Sequence, residues 1–152
     1  MVMFDRPERR LLSPDDERRV VAAIRAAERR TSGEIRVHVQ GRCKGDPLAA
    51  AATIFERLGM THTAARNGVL VFLAVDDRRF AIVGDKGIHE KVGAAFWDAL
   101  RDALADRLRA GRAADGLIET VEAIGAELSR SFPRAGDDRN ELADRVSYGG
   151  PL

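Results

Sequence analysis

The sequence predicts an α/β fold: a three-layer α/β/α sandwich whose small mixed sheet, a β-α-β crossover followed by a β-hairpin, is covered by helices. Three observations carry that expectation. Residues 34–40, EIRVHVQ, alternate apolar and polar; residues 69–75, VLVFLAV, are apolar throughout; and the segments on either side repeat apolar residues at helical spacing. Alternation is the period of a pleated strand, whereas an unbroken apolar run suits a strand buried on both faces. With 152 residues, 45% of them hydrophobic, the chain can bury one ordinary core and is short for two. A single domain over residues 1–132 is expected, followed by an extended or disordered tail over residues 133–152.

The first helix opens at Ser13-Pro14-Asp15-Asp16. Ser13 supplies a capping oxygen, Pro14 suits a first turn that needs no amide hydrogen, and Asp15, Asp16 and Glu17 meet the positive end of the helix dipole. Val20, Val21, Ile24 and Ala27 then form one face and Arg18, Arg19, Arg25 and Arg29 the other, up to a stop near Thr31-Ser32-Gly33. In the strand that follows, Ile35, Val37 and Val39 point one way and Glu34, Arg36, His38 and Gln40 the other, so it is expected half covered, at a sheet edge. Asp46-Pro47 restarts a helix that runs through Ala49 to Leu58 and closes at Gly59. Strand, helix, strand is the parallel crossover unit.

After the apolar run, Asp76-Asp77-Arg78 is a tight reversal into residues 79–83, which return antiparallel. Beyond Gly87 the period is helical again. Phe96, Leu100, Leu104 and Leu108 make one stripe, and Leu117, Val121, Ile124 and Leu128 make a second past a break at Gly111. From Pro133 the periodicity is lost and Gly, Asp and Arg increase, which is the basis of the tail.

Composition narrows the function. Lys and Arg number 25 against 24 Asp and Glu, a net charge of +1 with both signs dispersed, so the basic stripe that a phosphate backbone needs is missing and nucleic acid is not expected as a partner. The amino-terminal segment is charged where a signal peptide needs an apolar core, and no apolar run approaches the about 18 residues of a membrane span. A soluble, cytoplasmic protein is expected. The single cysteine, Cys43, allows no intramolecular disulfide, and exposure of its thiol is expected. His38, His62 and His89 stand alone at spacings unsuited to zinc.

Topology gathers the remaining candidates. If the first two strands are parallel and the third runs back, Thr31 to Glu34, Arg66-Asn67-Gly68 and Gly84-Asp85-Lys86-Gly87 share one edge of the sheet. Glu34, Asn67 and Asp85 there are hard oxygen donors that suit calcium or magnesium better than zinc, and the glycines let backbone approach a ligand. Thr31, Arg66, Gly68, Gly84, Lys86 and Gly87 would line the same edge, which could equally receive a protein partner. The competing reading is structural: Asn67-Gly68 a turn, Glu34 paired with Arg66, and Asp85 capping the next helix. At the opposite edge, Asp76-Asp77 is ordinary turn chemistry. Nothing in composition sets the oligomeric state.

The same three segments resemble the TPM domain family, named for a thylakoid lumen protein, a photosystem II repair protein and a modulator of an acetylcholine receptor. Thr31-Ser32-Gly33-Glu34-Ile35 corresponds to the family's T-x-A-E-I, Asn67-Gly68-Val69-Leu70-Val71 to N-G-V-L followed by a hydrophobic residue, and Gly84-Asp85-Lys86-Gly87-Ile88 to G-x-G-[LI] or similar. The likeness covers residues 13–132 and implies a compact α/β/α sandwich. The family has been associated with calcium binding, with acid phosphatase activity in a plant thylakoid protein, and with assembly or repair of membrane complexes. The resemblance thus implies an accessory or binding module holding a divalent cation, calcium, at Glu34, Asn67 and Asp85. Its alternative is a metal-assisted, phosphatase-like hydrolase of phosphate esters, for which only Arg66 and Lys86 stand at that edge as a cationic clamp. The sequence departs from the family at Gly33 and Arg66, where alanine and asparagine are common, and Arg66 brings a cation of its own to the ion site. Many bacterial relatives carry a signal peptide and a membrane helix, neither of which is read in this sequence. Asn140-Glu141-Leu142 and Val146-Ser147-Tyr148 resemble the tail of a short soluble bacterial branch.

Overall fold

A computed structural model describes residues 12–134 and 146–149. Helix α1 (Pro14–Glu28) starts as its sequence requires, with the Ser13 hydroxyl accepting from the Asp16 amide at 3.0 Å. Ser13→Ala is therefore expected to cost about 1 kcal/mol in a denaturant melt, the worth of one such cap. Strand β1 (Glu34–Gln40) follows, then helix α2 (Pro47–Arg57), whose Asp46 carboxylate accepts from the Leu48 amide at 3.1 Å. Strands β2 (Gly68–Ala74) and β3 (Arg79–Gly84) form the hairpin, and the short helix α3 (Lys86–His89) leads into α4 (Ala94–Arg109) and α5 (Ala113–Ser131). Strand β4 (Val146–Gly149) comes from the segment read as a tail.

The sheet order is β3-β2-β1-β4. β1 and β2 are parallel with Glu34 opposite Gly68, β2 and β3 antiparallel with Val69 opposite Gly84, and β4 lies parallel to β1 with His38 opposite Ser147. The mixed sheet and its crossover match the expected fold. The position of β1 does not: it is an inner strand, buried at every residue, rather than a half-covered edge. Alternation of polarity reports which residues can hydrogen-bond, not which reach water, and here the polar row is enclosed as fully as the apolar one.

Parity divides the core. Ile35, Val37, Val39, Val69, Val71 and Leu73 face the layer made by α1, α4 and α5 together with Ile88 and Trp97. Leu70, Phe72, Ala74 and Ala81 face α2 through Ala51, Ile54 and Phe55. Burying a full side chain of this size stabilises by about 1.5–3 kcal/mol, so two filled faces explain why every residue of β2 is apolar. The two faces also immobilise the ends of β1, β2 and β3, and it is those ends that carry the candidate site.

Candidate functional site at the sheet edge

The start of β1, the start of β2 and the end of β3 meet, as the in-register pairs require. The Asp85 amide donates to the Gly68 carbonyl at 2.9 Å, and the Gly87 amide donates to the Arg66 carbonyl at 2.8 Å. Thr31, Glu34, Asn67, Gly68, Gly84 and Asp85 are buried, Arg66 and Gly87 are half-buried, and Lys86 is exposed. The edge is thus a closed corner from which Lys86 reaches out and Arg66 is partly exposed.

Each strand end is fixed by a local polar device. The Thr31 hydroxyl lies at hydrogen-bonding distance from the carbonyls of Leu128 and Phe132 and accepts from the Gly33 amide at 3.0 Å, which ties the entry of β1 to the end of α5. Glu28 accepts the Ile35 amide at 2.8 Å. On the β2 side, the Thr63 hydroxyl accepts the Asn67 amide at 3.2 Å, while the Asn67 side-chain amide donates to the Ser32 hydroxyl at 3.3 Å and so bridges the β1 and β2 entries. Ser32 and Thr63 are positioning residues that sequence patterns did not single out. Their separation from Asn67 gives no periodic signal.

Asp85 is the most constrained member. Its two oxygens receive the Arg66 guanidinium, Nε at 2.6 Å and Nη2 at 2.9 Å, and one of them also accepts the Lys86 amide at 2.8 Å as the cap of α3. Arg66 reaches this bidentate geometry from a left-handed backbone, φ 52°, a conformation that costs a non-glycine residue about 1 kcal/mol or more and is held here by the fork. The structural reading therefore stands in one respect, the Asp85 cap. Arg66, however, forks onto Asp85, not onto Glu34 as that reading supposed.

The glycines are required by close approach. A Cβ on Gly87 would lie 2.1 Å from the Ala65 carbonyl oxygen, and one on Gly84 would lie 2.8 Å from Ile88 and 3.0 Å from Trp97. Two acceptors of the corner are notable for the chemistry they allow. Asn67 is 1% exposed and its Oδ1 has no hydrogen-bond partner among the described residues. Glu34, 3% exposed, adds a second buried carboxylate to that of Asp85. Among the described residues no group of three or more His, Cys, Asp or Glu is arranged to hold a metal ion.

The other candidates take structural places. Cys43 is buried beneath α2, not exposed, and its amide is held by Asp77 at 2.8 Å. His62 is exposed on its loop, and exposed His89 packs its ring 5.5 Å from that of Trp97. His38 is buried on the polar row of β1, and burial pushes its pKa below the usual 6.5.

Known proteins share this architecture. Among curated proteins none matches the chain. The NMR structure of the BA42 protein from the psychrophilic bacterium Bizionia argentinensis is similar at 39% identity and a TM-score of 0.87, over 96% of this chain and 100% of that one. The N-terminal domains of the cg2496 protein from Corynebacterium glutamicum and of a protein from P. gingivalis share the fold. Their identities are 20% and 23%, with TM-scores of 0.61 and 0.65, covering 94% and 80% of this chain and 97% and 79% of theirs. No described helix is long and apolar enough to cross a membrane. A profile of the TPM domain matches residues 7–127, and the chain belongs to the TPM domain family.

Proposed function

We propose that this TPM domain is a binding module that takes a divalent cation, calcium, at the corner formed by Glu34, Asn67 and Asp85. The observation that supports it is the Asn67 Oδ1, buried at 1% exposure with no hydrogen-bond partner among the described residues. An unpaired buried amide oxygen costs about 1–3 kcal/mol, which coordination to a hard cation would recover. Glu34 and Asp85 supply the charge that such an ion needs, and the bound ion would supply a focus of positive charge for a partner carrying oxygen ligands.

Arg66 sets the terms of binding. Its guanidinium holds both oxygens of Asp85, so the ion and the side chain compete for one carboxylate. Calcium uptake then requires Arg66 to leave Asp85 for solvent. A titration of calcium into labelled protein, followed through amide chemical shifts, tests this directly. The shifts of Glu34, Asn67 and Asp85 are expected to move, and Arg66→Gln is expected to bind about tenfold more tightly, the effect of removing a charge-assisted competitor worth about 1.4 kcal/mol. Absence of movement in both proteins defeats the reading. Turnover of an aryl phosphate that is lost in Asp85→Asn and Glu34→Gln would replace it with the hydrolase.

A further inference from the structure

We propose that His38 is a proton-operated latch for the carboxy-terminal strand: with the ring neutral, β4 stays on β1, and with the ring protonated, β4 detaches and opens the edge of β1. The two strands are joined through that ring. His38 stands opposite Ser147, and its Nδ1 lies 2.8 Å from the Ser147 hydroxyl. Its Nε2 lies 3.1 Å from the Gln40 Oε1, and the Gln40 amide nitrogen is committed to the Arg42 carbonyl at 2.8 Å. That commitment presents an oxygen to the ring, so Nε2 carries the hydrogen and Nδ1 accepts from Ser147.

The ring is enclosed on both sides. Phe72 of β2 stacks with it at 6.0 Å and 7°, and Gly149 of β4 leaves so little room that a Cβ there would lie 2.9 Å from Nε2. A second proton would sit on Nδ1 and force the Ser147 hydroxyl to turn towards the Val37 carbonyl, a long 3.4 Å away. Among the described residues the neighbours give that charge no counterion. Arg36 on the same row and Arg57 from α2 both oppose it, Gln40 and Ser147 are neutral, and Phe72 and Gly149 are uncharged, while Glu34 stands beyond Arg36 at the far end of the row. Tyr148 and its partner Glu17, 2.7 Å apart, stand on the other face with Val146.

Displacing β4 is the simplest way for the ring to gain water. Among the described residues the strand spans Val146–Gly149 and its buried apolar anchor is Val146, and a short edge element belongs to the low end of local stability. The sign follows from burial, which lowers the affinity of the docked ring for a proton below that of the free ring at 6.5. Attachment is constant above that value, weakens as pH falls through the docked ring's own pKa, and levels off below it.

Amide hydrogen exchange on the full chain at about pH 7.5 and about pH 5 tests the latch. Protection factors at Val146–Gly149 are expected to fall about tenfold or more on acidification while those of β2 hold, with the His38 ring resonances titrating over the same interval. His38→Gln keeps a neutral hydrogen-bonding side chain and is expected to abolish the pH response. Undiminished β4 protection while the His38 ring titrates overturns the proposal, as does an equal acid-induced loss in His38→Gln. The titration of the wild-type ring decides even where that variant folds poorly.

Discussion

Gly87→Ala is expected to destabilise the domain by about 3 kcal/mol, near the upper range for overpacking a rigid site. Two effects oppose each other at this position. Gly87 lies in the helix α3, where alanine would ordinarily gain about 1 kcal/mol. Against that, the added carbon would lie 2.1 Å from the Ala65 carbonyl oxygen and 2.6 Å from that of Arg66. Both are backbone atoms with no rotamer to relieve the clash, so α3 must move. Movement stretches the bond from the Gly87 amide to the Arg66 carbonyl, now 2.8 Å, and withdraws Asp85 from the Arg66 fork. The steric term wins and carries the candidate site with it. Chemical denaturation measures the loss, with Lys86→Ala, an exposed change one residue away, expected to stay within about 0.5 kcal/mol. A Gly87→Ala midpoint equal to wild type would show that the corner is not rigid.

How the corner forms was legible in the sequence because it follows from topology. An apolar β2 must be inner, a turn at residues 76–78 must send β3 back along it, and the crossover from β1 must be parallel, so Glu34, Asn67 and Asp85 arrive at one edge whatever their side chains do. The pairing of the charges within the corner was not legible. Arg66 could reach either carboxylate, and its choice of Asp85 depends on a φ of 52° and on Asp85 already being fixed as the cap of α3. The inner position of β1 was hidden for a related reason. Its polar row looks solvated until β4 is laid beside it, and β4 carries no pattern of its own. Val146, Ser147, Tyr148 and Gly149 are specified by what they meet: a core, the His38 ring, Glu17, and the space beside Gln40. Such complementarity is a property of two segments together, which periodicity in either one cannot display.

The crossing of α1 and α5 shows the same dependence in a form that two substitutions can separate. Gly125→Ala, in the middle of α5, ought to stabilise an isolated helix by about 1 kcal/mol. In the folded domain its Cβ would lie 2.5 Å from the Cβ of Ala27 and 3.3 Å from the Ala27 Cα, on a face of α1 that is buried. The helices must separate, loosening Ile24, Val121 and Leu128, all wholly buried, and the net cost is expected to be about 2–3 kcal/mol. Thr31, whose hydroxyl is held by Leu128 and Phe132 at the end of α5, would shift with it, so amide signals at Gly33 and Glu34 should move although the substitution is remote. Ala27→Gly removes the opposing carbon. Alone it costs about 1 kcal/mol in helix propensity, but combined with Gly125→Ala it should restore the crossing, leaving the double variant near wild type and more stable than Gly125→Ala by about 2–3 kcal/mol. A double-mutant cycle reads that coupling as a favourable interaction of about 3–4 kcal/mol between the two changes. Simple additivity would instead mean that the helices absorb the carbon without separating, and the entry to β1 would then owe its position to Thr31 and Glu28 rather than to the α1–α5 crossing.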